Sequence, residues 1–244
     1  MTYPHTREEN ITENYFGTNV ADPYRWLEDD RSEETSSWVK EQNKVTQGYL
    51  SKIPFRNAIK DRLKTLMNYE KFSQPFKEGE YTYFYKNSGL QNQSVLYRQK
   101  ADEEPEMFLD PNLFSVDATT SLAGIYFSKD GSMVAYQTSA GGSDWTDVVV
   151  MHAADKRLAG DTLKDIKFSG IAWMGNEGFY YSTYDKPLEG SQLSGKTEHH
   201  CLYFHRLGTE QKDDQLVFGG ELTPRRYISA DVTEDERFLI ITAA

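Results

Sequence analysis

Cysteine, long apolar runs and clustered positive charge are the scarce features of this sequence. One cysteine, Cys201, stands among 244 residues, which excludes an internal disulfide and fits a reducing compartment. No apolar run approaches the roughly 18 residues of a membrane-spanning helix. Met1-Thr2-Tyr3-Pro4-His5 runs straight into polar residues with no secretory signal. The expectation is a cytoplasmic protein, or a periplasmic or secreted one whose signal has been removed. Lys and Arg number 27 against 38 Asp and Glu, a net charge of −11. Nucleic-acid binding draws its affinity from clustered cations facing phosphates, so that partner class is excluded. No GxxxxGK[ST] phosphate loop is present, and no cofactor is expected.

What the chain does contain is 38% hydrophobic residues and 14% aromatics, mostly Tyr and Phe, enough for a packed core rich in strands. One unit recurs. Ile125–Tyr136 reads as a strand, a tight turn on Asp130-Gly131 and a second strand. Similar units are anchored at Phe76, Phe127, Trp173 and Val232, about 50 residues apart, as in the four-stranded blades of a β-propeller. A β-sandwich with ordinary hairpins is the rival. The expected fold class is mainly β: a partial propeller of three to four blades behind an α-helical N-terminal arm.

That arm spans residues 1–70. Trp26 and Leu27 read as an anchor after Asp22-Pro23-Tyr24-Arg25. Asp30 with Glu33 makes a capping box, and Trp38, Gln42, Val45 and Tyr49 share one helical face. Pro54 fits the first position of a second helix, whose apolar face is Phe55, Ile59, Leu63, Leu66 and Met67. These faces need a partner surface. From residue 71 the period falls to 2, with strands at Tyr81–Tyr85, Ser94–Arg98, Val148–Met151 and Leu202–His205, and a long polar loop between Tyr184 and Glu198. The chain stops inside a fourth hairpin, as a fragment would.

Reactive chemistry is sparse. Gly141-Gly142-Ser143-Asp144-Trp145 lacks the second Gly of a nucleophile elbow, so Ser143 reads as a turn residue. His199 and His200 are adjacent on an extended chain and point to opposite faces, so no metal is expected. Cys201 reads as a small buried hydrophobe. Glu103, Glu104, Asp213 and Asp214 read as solvated loop carboxylates.

Four stretches together resemble the N-terminal part of the prolyl oligopeptidase family of serine peptidases: Asp22–Glu28, Gly89–Tyr97, Gly142–Trp145 and Tyr203–Thr209. The resemblance runs from near residue 3 to the end. It implies a seven-bladed propeller inserted into an α/β-hydrolase peptidase domain. Residues 1–70 would pack on that domain, and residues 71–244 would be blades one to three and the start of four. The Ser, Asp and His triad would lie in a hydrolase domain absent from this chain, leaving it inactive alone. The implied partners are short proline-containing peptides, cleaved after proline, and the hydrolase domain itself. The propeller would cover the active site and limit substrate size. The resemblance assigns a substrate-pocket wall to Phe168, for which a core strand position is the alternative. A second wall residue, usually methionine in the family, falls at Tyr227, where this sequence departs. Two other functions stay open: a propeller that only binds a protein partner, and a related oligopeptidase specific for basic residues.

Overall fold

The computed structural model describes residues 2–29, 32–185 and 197–244. Among these the chain divides into two compact units, with the break between Leu66 and Met67.

The first unit opens with the hairpin of β1 (Thr12–Tyr15) and β2 (Thr18–Ala21). A single 3₁₀ turn at Arg25–Glu28 follows. The Arg25 guanidinium joins these pieces, reaching Asp22 at 2.5 Å and Glu13 at 2.7 Å. The Trp26 indole N–H donates to the Arg7 carbonyl at 2.9 Å, and the Arg7 guanidinium lies over its ring. Trp26 therefore pins the N-terminal segment of its own unit. Helix α1 (Glu33–Leu50) begins two residues later than a box on Asp30 requires, and Asp30 lies outside the described residues. The cap is Ser32, whose hydroxyl accepts from the Thr35 amide at 3.0 Å. Helix α2 (Arg56–Met67) starts after Pro54 rather than on it. The Arg56 amide first closes a turn to the Ile53 carbonyl, and helical bonding begins with Ile59 to Phe55. Phe55, Ile59, Leu63, Leu66 and Met67 are each about half exposed or more.

The second unit is a stack of antiparallel sheets. The first blade holds β3 (Lys71–Phe72), β4 (Phe76–Glu78), β5 (Tyr81–Asn87), β6 (Val95–Lys100) and β7 (Glu106–Leu109); β3 and β4 both pair with β5. The second runs β8 (Thr120–Phe127), β9 (Met133–Ala140), β10 (Trp145–His152) and β11 (Leu158–Lys167) in that spatial order. The third runs β12 (Ile171–Met174), β13 (Gly178–Thr183), β14 (Cys201–Arg206) and β15 (Gln215–Gly219). A two-stranded pair, β16 (Ile228–Val232) with β17 (Leu239–Ala243), begins the fourth. The polar loop expected between Tyr184 and Glu198 falls mostly outside the described residues.

The two-residue period of a strand explains the packing. In β9, Val134 and Tyr136 face the first blade with Tyr83, Leu96 and Phe108. Met133 and Ala135 face the third with Trp173, Phe179 and Tyr181. A middle sheet buried on both faces reads as a continuous apolar run, which is why Met133–Gln137 are all buried. The four expected hairpins close their inner strands at one end of the stack, where the turns interlock. A Cβ on Gly131 would sit 2.7 Å from the Gly79 amide nitrogen, so only glycine fits there. Asn176 donates to Asp130 at 2.8 Å, and the Gly175 amide to Glu236 at 2.8 Å. Burial works against ionisation of Asp130, but donors from Ser132, Asn176 and Ser128 outweigh it and hold its pKa at about 2.

Candidate functional site

The opposite end of the stack, where the inner strands start, carries the aromatic residues of interest. After the buried Lys167 closes β11, the chain turns through Phe168 before β12 begins. Phe168 is left-handed, with φ 55°, a strain on the order of 1–3 kcal/mol that persists only where the surroundings impose it. Here they do. The Lys167 ammonium lies 5.1 Å from the Phe168 ring centre and 5.0 Å from that of Trp145. Tyr227 meets the Phe168 ring edge-on at 5.6 Å, and Tyr184 does so at 6.3 Å. Phe168 is nonetheless 45% exposed and Tyr227 56%. Phe168 is thus a turn residue on an open aromatic ledge, not a core strand residue. The two wall candidates, from separate blades, stand in contact.

Behind them sits His200, fully buried and stacked on Tyr184 with ring centres 4.3 Å apart. Its Nε2–H donates to the Lys167 carbonyl at 3.0 Å, and its Nδ1 accepts from the Ile228 amide at 2.9 Å. One donor and one acceptor define the neutral Nε2–H tautomer. Burial lowers the His200 pKa, with the Lys167 carbonyl acting in the opposite direction. The backbone of His200 is held as well. The Gly220 amide donates to its carbonyl, and a Cβ on Gly219 (φ 105°) would approach that oxygen to 2.4 Å.

A second polar cluster lies five residues on, within β14. His205, 1% exposed, places Nδ1 2.8 Å from Asp214 and Nε2 3.2 Å from Asp161. The Tyr181 hydroxyl donates to Asp214 at 2.8 Å, and the Gly208 amide to Asp161 at 2.5 Å. Burial lowers the His205 pKa, but the two carboxylates outweigh it and the net shift is upward. Tyr181 and Asp214 border a cleft of about 490 Å³, shared with Lys164, Tyr203, Gln211 and Lys212. Asp214 is therefore a buried ion-pair partner, not the solvated loop carboxylate its neighbours suggest; its Asp213 neighbour stays in the 3₁₀ turn Gln211–Asp213. An Asp–His pair evokes hydrolytic chemistry, yet both ring nitrogens here are committed to carboxylates. No nitrogen is left to take a proton from a nucleophile, so the cluster ties β11 of one blade to the next.

The remaining candidates are structural. The Ser143 hydroxyl accepts from the Trp145 amide at 3.0 Å in the β9–β10 turn. Cys201 is buried, with its thiol pKa raised by burial. Among the described residues, no group of three or more His, Cys, Asp or Glu is placed to hold a metal, and no helix is long and apolar enough to cross a membrane.

Comparison with known proteins covers nearly the whole chain. The family model for "Prolyl oligopeptidase, N-terminal beta-propeller domain" matches residues 3–244. The prolyl endopeptidase of Elizabethkingia miricola is 57% identical over 244 residues, all of this chain and 35% of that protein. Prolyl oligopeptidase A of Amanita bisporigera is 34% identical over 272 residues, 98% of this chain and 36% of that one. Prolyl oligopeptidase B from Galerina marginata, solved bound to a 35mer hydrolysis and macrocyclization substrate, superposes with a TM-score of 0.80 at 28% identity, covering 99% of this chain and 37% of that chain. The chain thus spans little more than a third of the length of these relatives.

Proposed function

Since this chain belongs to the family of prolyl oligopeptidase N-terminal β-propeller domains, we propose that it is the arm and propeller portion of a serine peptidase that cleaves short peptides after proline. Residues 1–70 form the helical arm, whose half-exposed apolar α2 face suits a hydrolase domain, and residues 71–244 form blades one to three and the start of four. The chemistry is acyl transfer: a serine attacks the carbonyl after proline, a histidine takes its proton, and an aspartate orients the histidine. The Ser143 hydroxyl accepts from the Trp145 amide within its own turn and both His205 nitrogens face carboxylates; the triad is assigned to the part of the relatives' length that this chain does not span. The propeller covers the site and admits only short peptides. Phe168 and Tyr227 wall the pocket away from the proline subsite.

The observation that carries this reading is the Phe168–Tyr227 pair, 5.6 Å apart and half exposed on one rim of the stack. The names of its similar relatives favour proline over basic specificity. The test is hydrolysis of Gly-Pro and Arg reporter amides by the full-length protein. Cleavage after proline, blocked by a serine-directed inhibitor and missing from residues 1–244 alone, is the expected result. Preferential cleavage after arginine, or inhibitor-sensitive cleavage by 1–244 itself, overturns it.

A further inference from the structure

His200 reaches the two wall residues through the backbone. The Lys167 carbonyl that accepts its Nε2–H belongs to the peptide bond immediately before Phe168. The Ile228 amide that donates to its Nδ1 belongs to the peptide bond immediately after Tyr227. One imidazole therefore grips both turns that carry the rings, and those turns start the inner strands of different blades, β12 and β16. The grip is itself fixed. Stacking on Tyr184 at 4.3 Å and an interplanar angle of 26° sets the ring plane, and Tyr227 meets the imidazole edge-on at 6.3 Å. Complete burial excludes water as a substitute partner for either backbone group.

We propose that His200 is a positioning residue for the substrate wall: by tying the Lys167 carbonyl to the Ile228 amide, it holds the Phe168 ring against the Tyr227 ring and so fixes the position of the wall that the two form together. That role presupposes the reading above, in which the two rings face the peptide. His200 touches neither substrate nor reacting atoms. Its loss shows in binding of substrates long enough to reach the wall, not in the chemical step.

The test compares steady-state kinetics of the full-length protein on two probes. One is a Phe-Ala-Gly-Pro reporter amide that reaches the wall; the other is a Gly-Pro reporter amide too short to do so. His200→Phe keeps an aromatic ring against Tyr184 but leaves both backbone groups unpaired, so KM for the long probe rises about tenfold. Its kcat, and both constants for the short probe, stay within about twofold of wild type. His200→Gln, which keeps one donor and one acceptor, recovers most of the loss. His200→Asn, too short for both partners at once, gives an intermediate KM and serves if His200→Phe does not fold. Phe168→Ala is the control for the wall itself. If Phe168→Ala raises the long-probe KM and the His200 variants do not, the positioning role is overturned while the wall stands. If the His200 variants lower kcat equally on both probes, the role is again overturned, in favour of general scaffolding. If Phe168→Ala changes neither probe, the wall reading falls and the role of His200 falls with it.

Discussion

Two histidines five positions apart, His200 just before β14 and His205 near its end, are equally buried and have pKa values shifted in opposite directions. His200 is 0% exposed, His205 1%. His200 faces a carbonyl and an amide, one acceptor and one donor, and is neutral. His205 faces two carboxylates, and its pKa is raised in spite of burial. Burial alone therefore does not set a histidine's charge; the partners at its two nitrogens do. The division also follows location. The neutral histidine lies under the exposed aromatic ledge, where a fixed tautomer holds backbone in place. The one with the raised pKa lies between blades, hydrogen-bonded to both Asp161 and Asp214, where its protonated form offsets part of their negative charge.

The largest effect that breaks this contrast comes from His205→Ala. It leaves two buried carboxylates without a cation, and breaking such a pair costs about 3–5 kcal/mol. Urea unfolding of the protein should show the midpoint falling with an unchanged slope. A midpoint within error of wild type would mean the carboxylates are solvated and the contrast false.

A smaller effect sharpens the contrast through pH. His205 has its folded pKa raised, so its contribution is complete below the unfolded value of about 6.5. It is lost as pH rises through the folded pKa. His200 has its folded pKa lowered, so its contribution is present above about 6.5 and is lost as pH falls through the folded pKa. Each histidine can give a slope of at most about 1.4 kcal/mol per pH unit, of opposite sign. Stability measured from pH 5 to 8 should lose its alkaline decline in His205→Gln and its acid decline in His200→Gln. The same flattening in both variants would contradict the opposite pKa shifts.

Much of the fold could be read from the chain. The hairpins anchored at Phe76, Phe127, Trp173 and Val232 all form, because Asp-Gly-like turns and alternating apolar residues are local signals. The helix cap moved from Asp30 to Ser32 because several adjacent residues can cap, and tertiary contacts choose among them. The site was less legible. Asp214 sits in a polar run, and its partners His205 and Tyr181 are 9 and 33 positions away, so nothing local marks it as buried. His200 was visible only as half of a His-His pair. Its partners are backbone atoms of residues 167 and 228, and a backbone carbonyl or amide leaves no trace in a sequence. Phe168 and Tyr227 emerged from the resemblance. Their contact depends on two loops of neighbouring blades meeting, which no periodicity encodes.

The most direct measurement is a crystal structure of the full-length protein with a proline-containing peptide bound. The account predicts that the Phe168 and Tyr227 rings touch the peptide within about 4 Å, on the side away from proline, with His200 still joined to the Lys167 carbonyl and the Ile228 amide. An ordered peptide in a hydrolase site with neither ring in contact would contradict it.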